Sequence, residues 1–207
     1  MTWAIIKCMK SYTHKITRFI REHKGVILSF IGILVIVACI EYLLGRSPLG
    51  PDGHFGWWDG DIWSNENSQR IADPYTFSHI AHGLIFYWFL GLVAKKLPKK
   101  YRLVIAILIE AGWEILENSP LIINRYRDAT IATGYIGDSI LNSVSDIVWM
   151  AIGFWFASFS KVWISIVLII TMELGCAYYV RDNLTLNVIM LVDPIPAIQQ
   201  WQIDGKK

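Results

Sequence analysis

Five long apolar runs constrain this chain more than any other feature of it. They lie at Gly25 to Leu44, Phe77 to Leu97, Tyr101 to Asn118, Ile140 to Phe159 and Val162 to Val180. A hydrocarbon slab about 30 Å thick takes roughly 20 helical residues, and inside it each backbone polar group must be bonded within its own helix. Apolar residues make up 54% of the 207, above the roughly 45–50% of a soluble domain, and the excess is gathered into the runs instead of being spread at amphipathic spacing. The expectation is an all-α integral membrane protein, with about five transmembrane helices in one bundle. A basic tail at residues 1–24 precedes a single transmembrane domain at 25–207. The third run is cut short by Ser119 and Pro120, which places Leu121, Ile122 and Ile123 at the interface. The longest connection, residues 45–76, is rich in Gly, Asp, Asn and Trp and reads as an ordered cap or interfacial segment, too small for a core of its own.

Lys and Arg fix an orientation. Six fall in Met1 to Lys24, five in the hairpin from Lys95 to Arg102, and Lys161 separates the last two runs, against seven elsewhere. The positive-inside rule therefore expects a cytoplasmic N-terminus, with five spans an outside C-terminus, and a loop at 45–76 that faces the periplasm or exterior. The tail alternates Ile5, Met9, Tyr12, Ile16 and Phe19 with Lys7, Lys10, Lys15 and Arg18, a pattern suited to a helix on an anionic leaflet. A signal-peptide reading competes for the first run, since IVAC ending at Cys39 loosely resembles a lipidation box. Twenty apolar residues continuing to Leu44 suit a span better. Cys8, Cys39 and Cys176 are too widely spaced for a zinc ribbon or a disulfide framework.

The polar residues within the runs are not scattered. At about 1.5 Å per residue, His79 and His82 open the second run, Glu110, Glu114 and Glu117 close the third, Asp138, Asn142 and Asp146 open the fourth, and Glu173 lies near the end of the fifth. All fall in the half nearer the periplasm. Spacings of three and four stack each set on one helix face, and three acids stacked in this way repel one another unless they are paired, protonated or metal-bound. The cluster is expected to wall a polar pocket floored by apolar packing.

Each set also has a plainer reading. The His79/His82 pair is a candidate metal pair, or an interfacial cap that bonds a carboxylate. Asp138, Asn142 and Asp146 suit either a site or polar glue between helices. Arg125 and Arg127 are candidates to close over the pocket and hold an anionic group, or are simply solvated. A cofactor is not specified, a divalent metal being the candidate. Di-metal carboxylate bundles use a Glu-x-x-His pair on one helix, which this chain lacks. RDNLTLN from Arg181 suits capping of the fifth run, and Trp57, Trp58 and Trp63 suit interfacial anchoring. P-loop, GxSxG, HExxH and dinucleotide fingerprints are absent from the sequence, and the architecture excludes soluble nucleic-acid modules.

Four segments, WDGDIWSNENSQRIADPYTFSHIAHGLIFY, EAGWEILENSPLIINRYRDATI, GYIGDSILNSVSDI and RDNLTLNVIMLVDPIPAIQQWQ, resemble a family of uncharacterised multi-pass inner-membrane proteins common in proteobacteria. The resemblance runs from about residue 58 to the C-terminus. Members often carry a close Cys pair early in the first loop, where this chain has PDGHFGWW, so no role of that pair transfers. Glu110 through Arg125, Asp138 and Asn142 are also distantly similar to the VanZ-like family, which is associated with glycopeptide resistance. Neither resemblance implies an established reaction.

Three functions are expected to compete. In the first, an envelope enzyme acts on a membrane lipid, a cell-wall precursor or an anionic small molecule, with Glu110, Glu114, Glu117 and Asp138 catalytic and Arg125, Arg127, Asn142 and Asp146 binding substrate. In the second, an ion- or proton-coupled carrier uses the same acids as a relay, although the inner half of the runs offers no polar continuation. The third is a non-catalytic membrane component.

Overall fold

The computed structural model describes residues 2–205. The side chains of residues 2–5 and 8–20 lie outside the described set, and with them the amphipathic reading of the basic tail. The described residues form eight α-helices: α1 Thr2–Leu43, α2 Thr76–Val93, α3 Lys99–Glu117, α4 Pro120–Ala129, α5 Ile140–Ala157, α6 Val162–Tyr179, α7 Leu184–Val192 and α8 Pro196–Ile203. An isolated bridge between Trp58 and Ala72 is the one β-type pairing among them.

Four helices are long and apolar enough to cross a membrane: Arg21–Leu43 of α1, α2, α5 and α6. Five were expected, and α3 is the difference. At 19 residues it is as long as the others, but Lys99, Lys100 and Arg102 load its first turn and three glutamates its second half. It nevertheless belongs to the bundle. It packs against α1 and α5, and its Ala106 and Ile107 are buried in the core with Val37, Leu84, Ile147, Met150 and Phe154.

Helices in lipid gain little from the hydrophobic effect on associating, so close backbone approach and complementary packing must hold them. The closest approach is α2 on α5. A Cβ on Gly83 would overlap the Met150 carbonyl oxygen, and one on Gly153 would overlap the Ile80 carbonyl. These two glycines let the helix bearing His79 and the helix bearing Asp146 lie backbone to backbone. Trp88 Nε1 donates to Ser165 Oγ at 3.0 Å and ties α6 to the outside of α2.

The segment before α2 is bonded to itself and to α5. Ile71 N donates to Gly56 O at 3.2 Å and Ala72 N to Trp57 O at 3.1 Å. Ser139 N donates to Ser68 O at 3.1 Å, Ser139 Oγ to Gln69 O at 3.0 Å, and Gln69 Nε2 to Gly137 O at 2.9 Å. Gly137, at φ +90°, makes the left-handed turn that delivers Asp138 to the start of α5. Beyond α6 the chain does not end in a simple cap. Asn183 accepts from Leu186 N at 2.8 Å and starts α7, while Glu173 of α6 accepts from Leu184 N and Thr185 N, both at 3.0 Å.

Candidate functional site

The starts of α2 and α5 and the end of α3 meet at one end of the bundle, which brings together the polar sets separated in sequence. His79 and His82, a turn apart on α2, reach across to α3. Nδ1 of His79 lies 2.7 Å from Glu110 Oε1, and Nδ1 of His82 lies 3.0 and 3.1 Å from the two Glu110 oxygens. One buried carboxylate thus orients two imidazoles. His79 also sits 3.4 Å by Nδ1 from Glu114 Oε1 and 3.7 Å by Nε2 from Asp146 Oδ2. Phenols hold the remaining acids: Tyr126 OH donates to Glu117 Oε1 at 2.8 Å, and Tyr135 OH to Asp138 Oδ1 at 2.8 Å. Asn118, fully buried at the end of α3, donates to Asp138 Oδ2 at 3.1 Å and accepts from Asp138 N at 2.7 Å.

Apart from Glu114 and Asn118, these residues border a cavity of about 320 Å³ walled by α2, α3, α4, α5, α7 and the loops before α2 and after α4. Its lining residues differ in exposure. His79, Glu110, Asp138, Asn142 and Asp146 are buried, whereas the lining residues Ile109 and Val188 are 44% and 51% exposed, and Phe86 and Trp113 are half-buried beside them. His82 is half-buried and touches both kinds of residue, bonded to the buried Glu110 and stacked on half-buried Phe86 with ring centroids 5.7 Å apart. Among the described residues neither Lys nor Arg lines the cavity. Carboxylates crowded in this way without cations carry a large penalty.

Metal-capable groups recur within the cluster. His79, His82 and Glu110 form one triad, His79, Glu114 and Asp146 a second, and Glu114, Glu117 and Asp138 a third, each with donor atoms within 4.8 Å of one another. The first triad spends both Nδ1 atoms on Glu110. Glu114 belongs to the other two. It is fully buried, and among the described residues no group donates a hydrogen bond to either of its oxygens.

Residues 41–204 match the family model described as "Protein of unknown function (DUF2585)". The chain belongs to this family. It is 46% identical over 183 residues to a "UPF0314 protein" of Rhizobium etli (strain CIAT 652), covering 88% of this chain and 94% of that one. It is 50% identical over 171 residues to a counterpart in Agrobacterium fabrum, covering 83% and 86%, and 49% identical over 173 residues to one in Sphingopyxis alaskensis, covering 84% and 92%. No solved structure matches the chain.

Of the site residues expected from sequence, His79, His82, Glu110, Glu117, Asp138, Asn142 and Asp146 border the cavity, and Glu114 lies behind its lining. Asn142 turns its amide to the loop, donating to Arg70 O at 2.8 Å. The two arginines lie elsewhere. Arg125 donates to Leu191 O at 2.7 Å and Val192 O at 3.2 Å, carbonyls at the end of α7, and Arg127 Nε donates to Tyr135 O at 2.6 Å. Free carbonyls at a helix end attract a cation, which draws Arg125 away from the acids. Sequence reasoning passed over Glu41, fully buried on α1 with both oxygens lacking a protein donor, and Tyr75, Asn118, Tyr126, Tyr135 and Asp182.

Asp182 joins three elements at the rim. It accepts from Tyr75 OH, at 3.0 Å, from Gln202 Nε2 at 3.0 Å and from Asn183 N at 2.9 Å. Burial pushes its carboxyl up to about 6 from 3.8, against the hydrogen bonds that favour the ionised form. A folded-state value above the unfolded one means that the folded protein holds the proton longer. The group's stabilisation is therefore complete below about pH 4 and lost as the pH rises through about 6. Melting curves of wild type and Asp182→Asn should differ across that window by a decline on the order of 2–3 kcal/mol, present in the wild type alone. Parallel pH dependences would refute the assignment.

Proposed function

We propose that this protein is a membrane-embedded hydrolase or transferase of the cell envelope, acting on an amphiphile such as a membrane lipid or a lipid-linked cell-wall precursor. One observation carries the reading: His82, bonded to Glu110 through Nδ1 and stacked on Phe86, links the buried carboxylates that line the cavity to its more exposed apolar residues. With Nδ1–H on Glu110, the Nε2 lone pair is free to take a proton from water or an acceptor hydroxyl. A carboxylate-oriented imidazole is a recurring general base. An amphiphile would enter from the bilayer past Ile109, Trp113 and Val188, leave its chains among them and carry its polar linkage to His82. A relay to the opposite face is disfavoured, because the apolar core of Leu84, Ile107, Ile147 and Met150 closes the route.

The reading sets the cavity end of the bundle toward the periplasm of a bacterial inner membrane, with the N-terminus cytoplasmic. The basic residues at 1–24 and 95–102 support that orientation. A periplasm-dependent reporter should be silent when fused at Lys99 and active when fused at Asp59. Activity at Lys99 would overturn the orientation.

Lipid profiling tests the function. A deletion strain should accumulate one amphiphile class, and His82→Gln or Glu110→Gln should fail to clear it at wild-type membrane abundance, by at least a hundredfold in rate. An unchanged profile in the deletion strain, or full clearance by both variants, would sink the proposal.

A further inference from the structure

Two further acids, Glu114 and Asp146, lie near His79 and have no part in the His82–Glu110 pair. Glu114 and Asp146 are buried, and among the described residues no donor forms a hydrogen bond with either oxygen of Glu114 or with Oδ1 of Asp146. A buried carboxylate left in this condition is among the most costly groups a membrane protein can hold. From this we infer that the cluster is a two-cation site: one divalent ion held by His79, Glu114 and Asp146, the second by Glu114, Glu117 and Asp138, with Glu114 bridging them.

The surrounding bonds fit ligation. His79 donates its Nδ1–H to Glu110 at 2.7 Å, which fixes the ring and leaves Nε2 facing Asp146 Oδ2 at 3.7 Å. An ion bound by both would draw these atoms to about 3 Å, given bonds of about 2.0–2.2 Å. Metal-bound imidazole usually donates its other N–H to a carboxylate, and ligating carboxylates are themselves hydrogen-bonded. Tyr126 meets Glu117, and Tyr135 and Asn118 meet Asp138, in this manner. In each triad the donor atoms lie within 4.8 Å of one another, and a carboxylate shared by two ions holds them roughly 3.5–4 Å apart, as in two-metal enzymes.

The charge balance also favours two ions. Among the described residues no Lys or Arg lines the cavity, and two divalent cations would offset most of the charge on Glu110, Glu114, Glu117, Asp138 and Asp146, while the other lining acids, Asp73 and Asp182, have hydrogen-bond donors of their own. Five of the six ligand contacts are carboxylate and one is imidazole, a set suited to Mn²⁺ or Mg²⁺ and unsuited to a thiophilic metal. Ion binding is independent of the catalytic reading above. It would stand if no lipid were ever processed, and its test reads ions, not turnover.

The protein, stripped with chelator and reconstituted in nanodiscs, would be titrated with Mn²⁺, counting bound ions by elemental analysis and reading their coupling by electron paramagnetic resonance. Two ions per chain with an exchange-coupled spectrum are expected. Glu117→Gln should leave one ion and an uncoupled spectrum. Glu114→Gln should weaken both ions at least tenfold while keeping a cooperative melt, because it removes charge without changing shape. Fewer than two ions in the wild type, two uncoupled ions, or tight coupled binding in Glu114→Gln would overturn the assignment. Should Glu114→Gln fail to melt cooperatively, Glu117→Gln decides alone, and two coupled ions in that variant would equally overturn it.

Discussion

Replacing Gly153 by leucine should dismantle the site without touching any residue in it. The new Cβ would strike the Ile80 carbonyl, part of rigid helix backbone, and could be accommodated only by moving α5 away from α2. Overpacking a buried contact costs about 1–3 kcal/mol where side chains can yield, and here backbone meets backbone. A loss of about 3 kcal/mol or more is expected, read as a large drop in melting temperature and a shift to aggregate on gel filtration in detergent. The same separation would carry His79 on α2 away from Asp146 on α5, now 3.7 Å apart. Gly112 provides the contrast. It lies in the interior of α3, and a Cβ there would meet nothing within 4 Å, so Gly112→Ala should hold or raise the melting temperature by relieving a helix-interior glycine. A Gly153→Leu protein that melts like wild type would refute the close approach of the two helices.

Asn118 should prove the most sensitive polar residue outside the acids. Its Nδ2 lies within 3.2 Å of the Glu114 carbonyl, Asp138 Oδ2 and Ser143 Oγ, while its Oδ1 accepts from Asp138 N. Asn118→Leu keeps the volume and removes every partner, leaving the Asp138 amide and carboxyl buried without them. Each unsatisfied group costs about 1–3 kcal/mol, so a loss of roughly 3 kcal/mol is expected. Asn118→Asp separates packing from charge. It retains the acceptor for Asp138 N but sets a second carboxyl against the first, which is tolerable only while one of the two holds a proton. Its deficit against wild type should therefore widen as the pH rises, whereas that of Asn118→Leu should change little. A melting temperature for Asn118→Leu within a degree of wild type would remove Asn118 from this role.

The spans and the gathering of acids at one end were legible because both are carried by spacing along the chain. Runs of about twenty apolar residues announce themselves, and His79/His82 or Glu110/Glu114/Glu117 fall on a face by helical period alone. What spacing does not carry is the register between helices. Glu41 is a single acid at the end of the first apolar run with no periodic companion, and only the packing of α1 on α3 and α5 buries it against the cluster. Arg125 and Arg127 follow the glutamates closely in sequence, yet a helix end 66 residues away competes for Arg125 and wins. Tyr126 and Tyr135 gave no signal because tyrosine near a membrane boundary is ordinary. The shortfall at α3 has a related origin. Its charges fill its first turn and recur through its second half, leaving only Leu103 to Ile109 as an unbroken apolar stretch.

The wall formed by α7 has a consequence for biosynthesis. Leu184, Asn187 and Val188 line the cavity, Arg125 grips the α7 carbonyls from α4, and Gln202 of α8 bonds Asp182 at its base. The covering residues Leu184, Asn187, Val188 and Gln202 are translated after the last long apolar helix, so every acid they enclose leaves the ribosome before its cover exists. During that interval the carboxylates stand open on the nascent chain, free to collect protons or ions. The segment beyond α6, folding back on helices already inserted, then closes the chamber around whatever they have gathered.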